Sequence, residues 1–173
     1  MRWVWIDCFE EFHSRSRARA VKLVSMAEDH LYEQYPDYPI MPNSLIIEGL
    51  AQTGGILVGE ANDFKEKVVL AKIPTVKFER HAVPGDRLDY LAELVDLKAE
   101  GAVVAGKVLC NGEPMAEAEI MYAHLDQARE DPTGAKNFVF TKDHLINILK
   151  LADGTYGQPK PNGGNQEGAS QQT

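Results

Sequence analysis

Glu48 and Gln52 are polar residues in a place that has almost no other polarity. Around them run Leu45, Ile46, Ile47, Leu50, Ala51, Ile56, Leu57 and Val58. Being four apart, they share one face of a helix. A helix apolar on nearly every side is a buried helix, and a carboxylate there is costly unless it is paired or used. The use open to it is proton transfer; the plainer reading is a hydrogen bond to the backbone or to a partner chain. Gln52 reads as a brace for Glu48 or for a neighbouring strand. Upstream stand His30 and Gln34, and then a loop punctuated by Pro36, Pro39 and Pro42. His30, His13, His81, His124 and His144 carry no spacing of their own and read as surface or interface residues.

The elements that must hold these residues follow from the pattern. Proline lacks an amide donor and clashes inside a helix, so the segment up to Pro42 is a loop. The spacing predicts a helix over Ser44–Ala61, with Asn43 or Ser44 as its capping residue. At that length it only just spans a bilayer, and its glycines and Glu48 argue against that. Ala20–Met26 reads as a strand after a polar turn at Ser14–Arg19, whereas Trp3–Phe12 does not decide between strand and helix. Val68–Ile73 and Val76–Phe78 are strand-like and broken at Pro74. Val83-Pro84-Gly85-Asp86 is a turn in which proline presets one corner and glycine permits the other. Arg87–Leu97, Ala102–Cys110 and Pro114–Leu125 read as three long strands, the last two joined by Asn111-Gly112, a strong hairpin signal. The sum is an α+β chain whose mainly antiparallel sheet must wrap or cover one long buried helix. Residues 1–153 form one domain with an amphipathic helix at 141–151, and 154–173 form a disordered tail, since Gly, Pro, Gln, Asn and Ser bury little.

Composition narrows the function. The 173 residues are 44% apolar, enough for one real core, and the formal net charge is −8. That acidity disfavours nucleic acid, which needs clustered Lys and Arg. Two cysteines, Cys8 and Cys110, make neither a disulfide framework nor a metal cluster and fit a reducing cytoplasm. The start, MRWVWIDCFEEF, is too short and too acidic for a signal peptide. We therefore expect a cytoplasmic chain with no membrane segment, no metal and no cofactor.

The stretch YPDYPIMPNSLIIEGLAQTGG resembles the central motif of the 3-hydroxyacyl-(acyl carrier protein) dehydratases, roughly H-F-P-G-x-P-I-M-P-G-x-L-x-x-E-A-L-A-Q. LAKIPTVKFERHAVPGDRL is similar to their second signature, a strand ending in an F-x-R-P-V-V-P-G-D turn, and AEAEIMYA resembles their closing strand. The likeness runs in order from about Ala20 to Ala123. It implies the hotdog fold, an antiparallel sheet wrapped round one helix, and homodimers or dimer-based oligomers whose sites lie between protomers. It implies acyl carrier protein, or another acyl-thioester carrier, as partner.

Carried over residue by residue, the resemblance makes Glu48 the helix acid. Asn43 takes the place of the glycine whose amide meets the thioester carbonyl, and Pro42, Ser44 and Gln52 complete the substrate-binding set. A helix start offers amides whatever its side chain. The family's catalytic histidine, fourteen positions before the acid, is Gln34 here. Dehydration needs a proton drawn from the carbon beside a polarised carbonyl, and another given to the departing hydroxyl. Histidine suits the first task; a glutamine amide does not exchange protons usefully. Either His30 is relocated to serve as base, or Glu48 acts as the only acid–base group. The alternatives are a disabled acyl-chain-binding or scaffold hotdog and, as a third reading, an acyl thioesterase.

Overall fold

A computed structural model describes residues 4–33 and 37–125. Six strands and two helices follow in the order β1 (Cys8–His13), β2 (Arg17–Leu23), α1 (His30–Glu33), α2 (Asn43–Ala61), β3 (Lys67–Phe78), β4 (Arg87–Lys98), β5 (Gly101–Cys110) and β6 (Glu113–Leu125). They form one sheet in the order β1-β2-β4-β5-β6-β3. Every neighbouring pair is antiparallel. Nothing is described of Gln34, of the expected helix at 141–151 or of the expected tail at 154–173, which lie outside these residues.

The sheet curves round α2, the hotdog arrangement. Strand β5 shows why it can: Ala102, Val104, Gly106, Val108 and Cys110 point inward and are buried, while Ala105 and Lys107 between them are exposed. That period of two gives the sheet one apolar face. The other face carries ion pairs such as Arg19–Glu10 at 3.0 Å and Arg87–Glu10 at 2.7 Å. α2 fills the trough with Ile46, Leu50 and Leu57, all at most 1% exposed. Three glycines let it come close. A Cβ on Gly49 would lie 2.5 Å from the Tyr90 ring, one on Gly54 2.6 Å from the Tyr122 hydroxyl, and one on Gly106 of β5 2.7 Å from Leu50. Glycine costs a helix interior about 1 kcal/mol, and here the two tyrosines occupy the space it frees.

Several local expectations change. The undecided N-terminal stretch is strand β1, because Phe9 and Phe12 are needed in the core and pack edge to face at 5.3 Å. The hairpin after it is tighter than the polar run suggested. Arg15 takes φ 59°, and pairing resumes at Arg17. Pro74 does not end its strand. β3 continues through it, and the register against β6 shifts between Lys72 and Thr75, because an edge strand tolerates a residue that cannot donate. Asn111 and Gly112, at φ 54° and 86°, make the hairpin turn the dipeptide predicted. α2 begins at Asn43 with Pro42 as its N-cap and no capping side chain, so neither Asn43 nor Ser44 caps it.

Among the described residues no helix is long and apolar enough to cross a membrane.

Candidate active site

The first turns of α2 gather most of the residues singled out by sequence. Pro42 O accepts from Leu45 N at 2.9 Å and Ile46 N at 3.2 Å. The amides of Asn43 and Ser44 come before these first helical bonds, and no side chain caps them. An uncapped helix start offers donors and a partial positive charge. The loop leading into it is pinned: Met41 N donates to Ala82 O at 2.9 Å, so the second signature lies beside the first. Its turn is held by Asp86, whose Oδ2 accepts from Val83 N at 2.9 Å and whose Oδ1 accepts from Asn111 Nδ2 at 2.7 Å. Burial pushes the Asp86 carboxyl up, but the Val83 amide, Asn111 and the Cys110 thiol outweigh it and hold it below its ordinary value. Burial, helped by Asp86, pushes the Cys110 thiol up to about 11, which leaves it protonated and inert.

Glu48 stands on the second turn, half-buried, with Gln52 buried one turn on. Gln52 Nε2 donates to Glu48 Oε1 at 2.9 Å, and Trp5 N donates to Gln52 Oε1 at 2.8 Å. The second bond fixes the first, since a main-chain N–H only donates and so must face the amide oxygen. The Trp5 ring in turn meets His30 edge to face, centroids 5.0 Å apart. His30 Nε2 is buried with no hydrogen-bond partner. Burial pulls its pKa below the usual histidine value, with Glu28 opposing and Lys22 adding to the fall. Lys22 itself is buried but satisfied, with Nζ 2.6 Å from Glu28 Oε1 and 3.0 Å from Leu23 O.

The structure thus brings Pro42, Asn43, Ser44, Glu48 and Gln52 to one helix end and sets His30 against Trp5, one residue further out. Gln34 lies outside the described residues. Asn43 Oδ1 is buried and unpartnered at the helix start, a polar atom that the family's glycine would not supply. Sequence reasoning missed Trp5. Its part is played by a main-chain amide, and no side-chain pattern announces that. The tyrosines behind α2 were also missed. Tyr122 Oη donates to Ala51 O at 2.7 Å, while Tyr90 Oη is buried without a partner.

A separate cleft of about 570 Å³ opens between Arg15, Ala61, Asn62, Lys65, Glu66 and Lys98. It lies at the other end of α2, about 20 Å along the helix from Glu48 at 1.5 Å per residue, and touches none of these groups. Among the described residues no group of three or more His, Cys, Asp or Glu is placed to hold a metal ion.

This chain matches the family model for the FabA-like domain over residues 6–119. It is 35% identical over 119 residues to the 3-hydroxyacyl-(acyl-carrier-protein) dehydratase FabZ of Halalkalibacterium halodurans, covering 68% of this chain and 85% of that one. To the same enzyme of Clostridium acetobutylicum it is 37% identical over 118 residues, 68% and 84% of the two chains. Among solved structures it resembles the dehydratase heterocomplex ApeI:P of Xenorhabdus doucetiae, with TM-score 0.61, 17% identity, and 73% and 86% of the two chains covered. It also resembles a hypothetical thioesterase of Streptococcus pneumoniae solved with coenzyme A, with TM-score 0.56, 12% identity, and 69% and 85% covered. Those two likenesses speak to the fold alone.

Proposed function

The chain belongs to the FabA-like family, and from that membership we propose that it is a 3-hydroxyacyl-(acyl carrier protein) dehydratase-like lyase of fatty-acid or related lipid synthesis. The observation that carries the reading is a half-buried carboxylate, Glu48, held by Gln52 on the turn after an uncapped helix start. The two parts match the two demands of dehydration. Amides of Asn43 and Ser44 polarise the thioester carbonyl, which acidifies the neighbouring carbon. Glu48 lies within reach of the same substrate to move protons. Pro42 and Asn43, whose Oδ1 is buried, shape the wall there. Acyl carrier protein is the partner this reading implies.

The working unit is a dimer joined along β3. That strand closes one edge of the sheet, and its twelve residues do not alternate between buried and exposed; Leu70 and Val76 are 46% and 43% exposed. A long edge with apolar side chains calls for a second chain. A well-folded monomer in sedimentation at micromolar concentration overturns this.

Glutamine at position 34, where the family has its histidine, favours one second reading: an acyl-chain-binding hotdog without turnover. Incubation with 3-hydroxyacyl and enoyl carrier thioesters, read by mass spectrometry, separates the two. Loss or gain of water supports the lyase, free acid indicates a thioesterase, and unchanged but bound thioester indicates the binding protein.

A further inference from the structure

In a dehydratase some group must take the proton from the carbon beside the carbonyl, and the residue at position 34 cannot. Resting on the lyase reading above, we propose that Glu48 carries the proton both ways through a single oxygen, Oε2, with Gln52 and the Trp5 main chain as the positioning elements that reserve it.

The geometry begins at Trp5. Its amide turns the Gln52 oxygen outward and so turns the Gln52 NH₂ onto Glu48 Oε1, at 2.8 and 2.9 Å. Oε1 is therefore committed as an acceptor. A proton arriving on the carboxyl must settle on Oε2, because Oε1 already faces an N–H. The bond from Gln52 can be made both to a carboxylate, where it is stronger, and to the carbonyl oxygen of a carboxylic acid. The network keeps its shape whether Glu48 is charged or neutral, as a group that cycles between the two forms requires. No reorganisation is needed at the moment of transfer, which is the condition for preorganised catalysis.

Among the described residues no histidine is hydrogen-bonded to Glu48. His13 bonds Glu11 at 2.8 Å in the first hairpin, His124 lies against Glu66 and Ala99 O at the end of β6, and His81 is exposed. His30 faces the Trp5 ring and makes no hydrogen bond to Glu48. Trp5 and Gln52 form the chain of contacts between them.

The chemistry balances with Glu48 alone. The Oε2 carboxylate forms an O–H bond to the proton on the carbon beside the thioester, and the C–H electron pair moves into an enolate held by the α2 amides. The enolate pair then forms the carbon–carbon double bond as the bond to the 3-hydroxyl breaks. The departing oxygen takes the proton from Oε2 and leaves as water, restoring the carboxylate. Both transfers use one atom, so they occur on one face of the substrate.

The test compares initial dehydration rates of the full chain and three variants on a 3-hydroxyacyl carrier thioester, with folding checked by circular dichroism. Gln52→Met removes the donor to Oε1 at nearly constant shape. It is expected to lower kcat about 10²-fold, as misplacing a reacting group does, with KM within about threefold. Gln52→Leu, which also removes the donor and adds no titratable group, is expected to do the same and decides the matter if the methionine variant does not fold. His30→Gln, which removes the imidazole against Trp5, is expected to lower kcat less than about tenfold. If folded Gln52 variants keep kcat and lose only melting temperature, Gln52 is structural and the proposal falls. If His30→Gln abolishes turnover in a folded protein, the imidazole is the base and the proposal falls. If the unaltered chain removes no water at all, the lyase reading fails first, a different result from either.

Discussion

The two ends of α2 are built on opposite plans. At the C-terminal end the last three carbonyls are met. Gly59 O accepts from Asn62 N and Phe64 N, Glu60 O from Asp63 N, and Ala61 O from Arg15 Nη1 at 2.8 Å. Closing the helix this way takes two consecutive left-handed residues, Asp63 and Phe64, at φ 53° and 55°, and neither is glycine. At the N-terminal end nothing is closed. A proline stands at the cap, two amides are left over, and a carboxylate waits one turn on. Orphan backbone groups are normally satisfied where stability is the only concern. Under the proposed function, the end that leaves them open is the end that receives the substrate, while the cleft of about 570 Å³ lies at the closed end.

The largest effect that tests this contrast is at Glu48. Glu48→Gln keeps the shape and the bond with Gln52 but removes the proton carrier, so turnover should fall at least about 10²–10⁴-fold. The fold should hold, because a neutral amide is cheaper to bury than a carboxylate. Unchanged rates in a folded variant return Glu48 to a structural role and make both ends of the helix alike.

Next is Gln34→His, which adds a second proton carrier at the position where the family has its histidine. If residue 34 reaches across to a Glu48, kcat should rise about 10²–10⁴-fold, the range for a positioned base. The gain should grow with pH through the imidazole titration, since only the neutral ring accepts a proton. A folded variant with no gain shows that position 34 does not face Glu48.

How much of this was legible from sequence depends on which physical signal each residue sends. α2 was plain because its apolar residues surround it, and Asn111-Gly112 was plain because few dipeptides accept positive φ twice. Glu48 stood out by being charged where nothing else was, and Gln52 by its spacing of four. β3 was misread as broken at Pro74, because a proline ends a central strand but not an edge one, and edge position is a property of the whole sheet. The cap was misread because Asn43 has the right chemistry and the wrong backbone. Trp5 was unreadable: its contribution is one main-chain N–H, from a residue ahead of β1, bonded to a side chain 47 residues on.

A smaller effect sits beside the open end, in the turn that anchors the loop before α2. Asp86 is held ionised by the Val83 amide and Asn111, and its folded pKa lies below the ordinary value. Its stabilisation is therefore complete above the unfolded pKa and is lost as pH falls through the folded one. Asp86→Asn should cost about 1–3 kcal/mol at neutral pH, the usual range for broken buried hydrogen bonds. The difference from the unaltered chain should shrink in acid, which urea titrations at neutral and acid pH would measure. A constant difference at all pH values assigns the effect to packing instead of charge.

The smallest effect belongs to the closed end. Arg15 is an exposed residue at the tip of the first hairpin, yet its guanidinium reaches the last carbonyl of α2. A cation there also faces the negative end of the helix dipole. Arg15→Met keeps the aliphatic stem over the helix and removes both the donor and the charge, so the loss should be about 0.3–1 kcal/mol. It should diminish as salt is added, because an exposed charge is screened. The point of the variant lies in what it leaves alone. Ala61 and Glu48 are about 20 Å apart along the helix axis, and the Trp5–Gln52–Glu48 chain does not involve the hairpin tip. Dehydration kinetics should therefore be those of the unaltered chain, with kcat and KM both preserved while thermal unfolding comes a few degrees earlier. A drop in kcat with the melting temperature intact would mean that the two ends are coupled through α2, and that the closed end is part of the site.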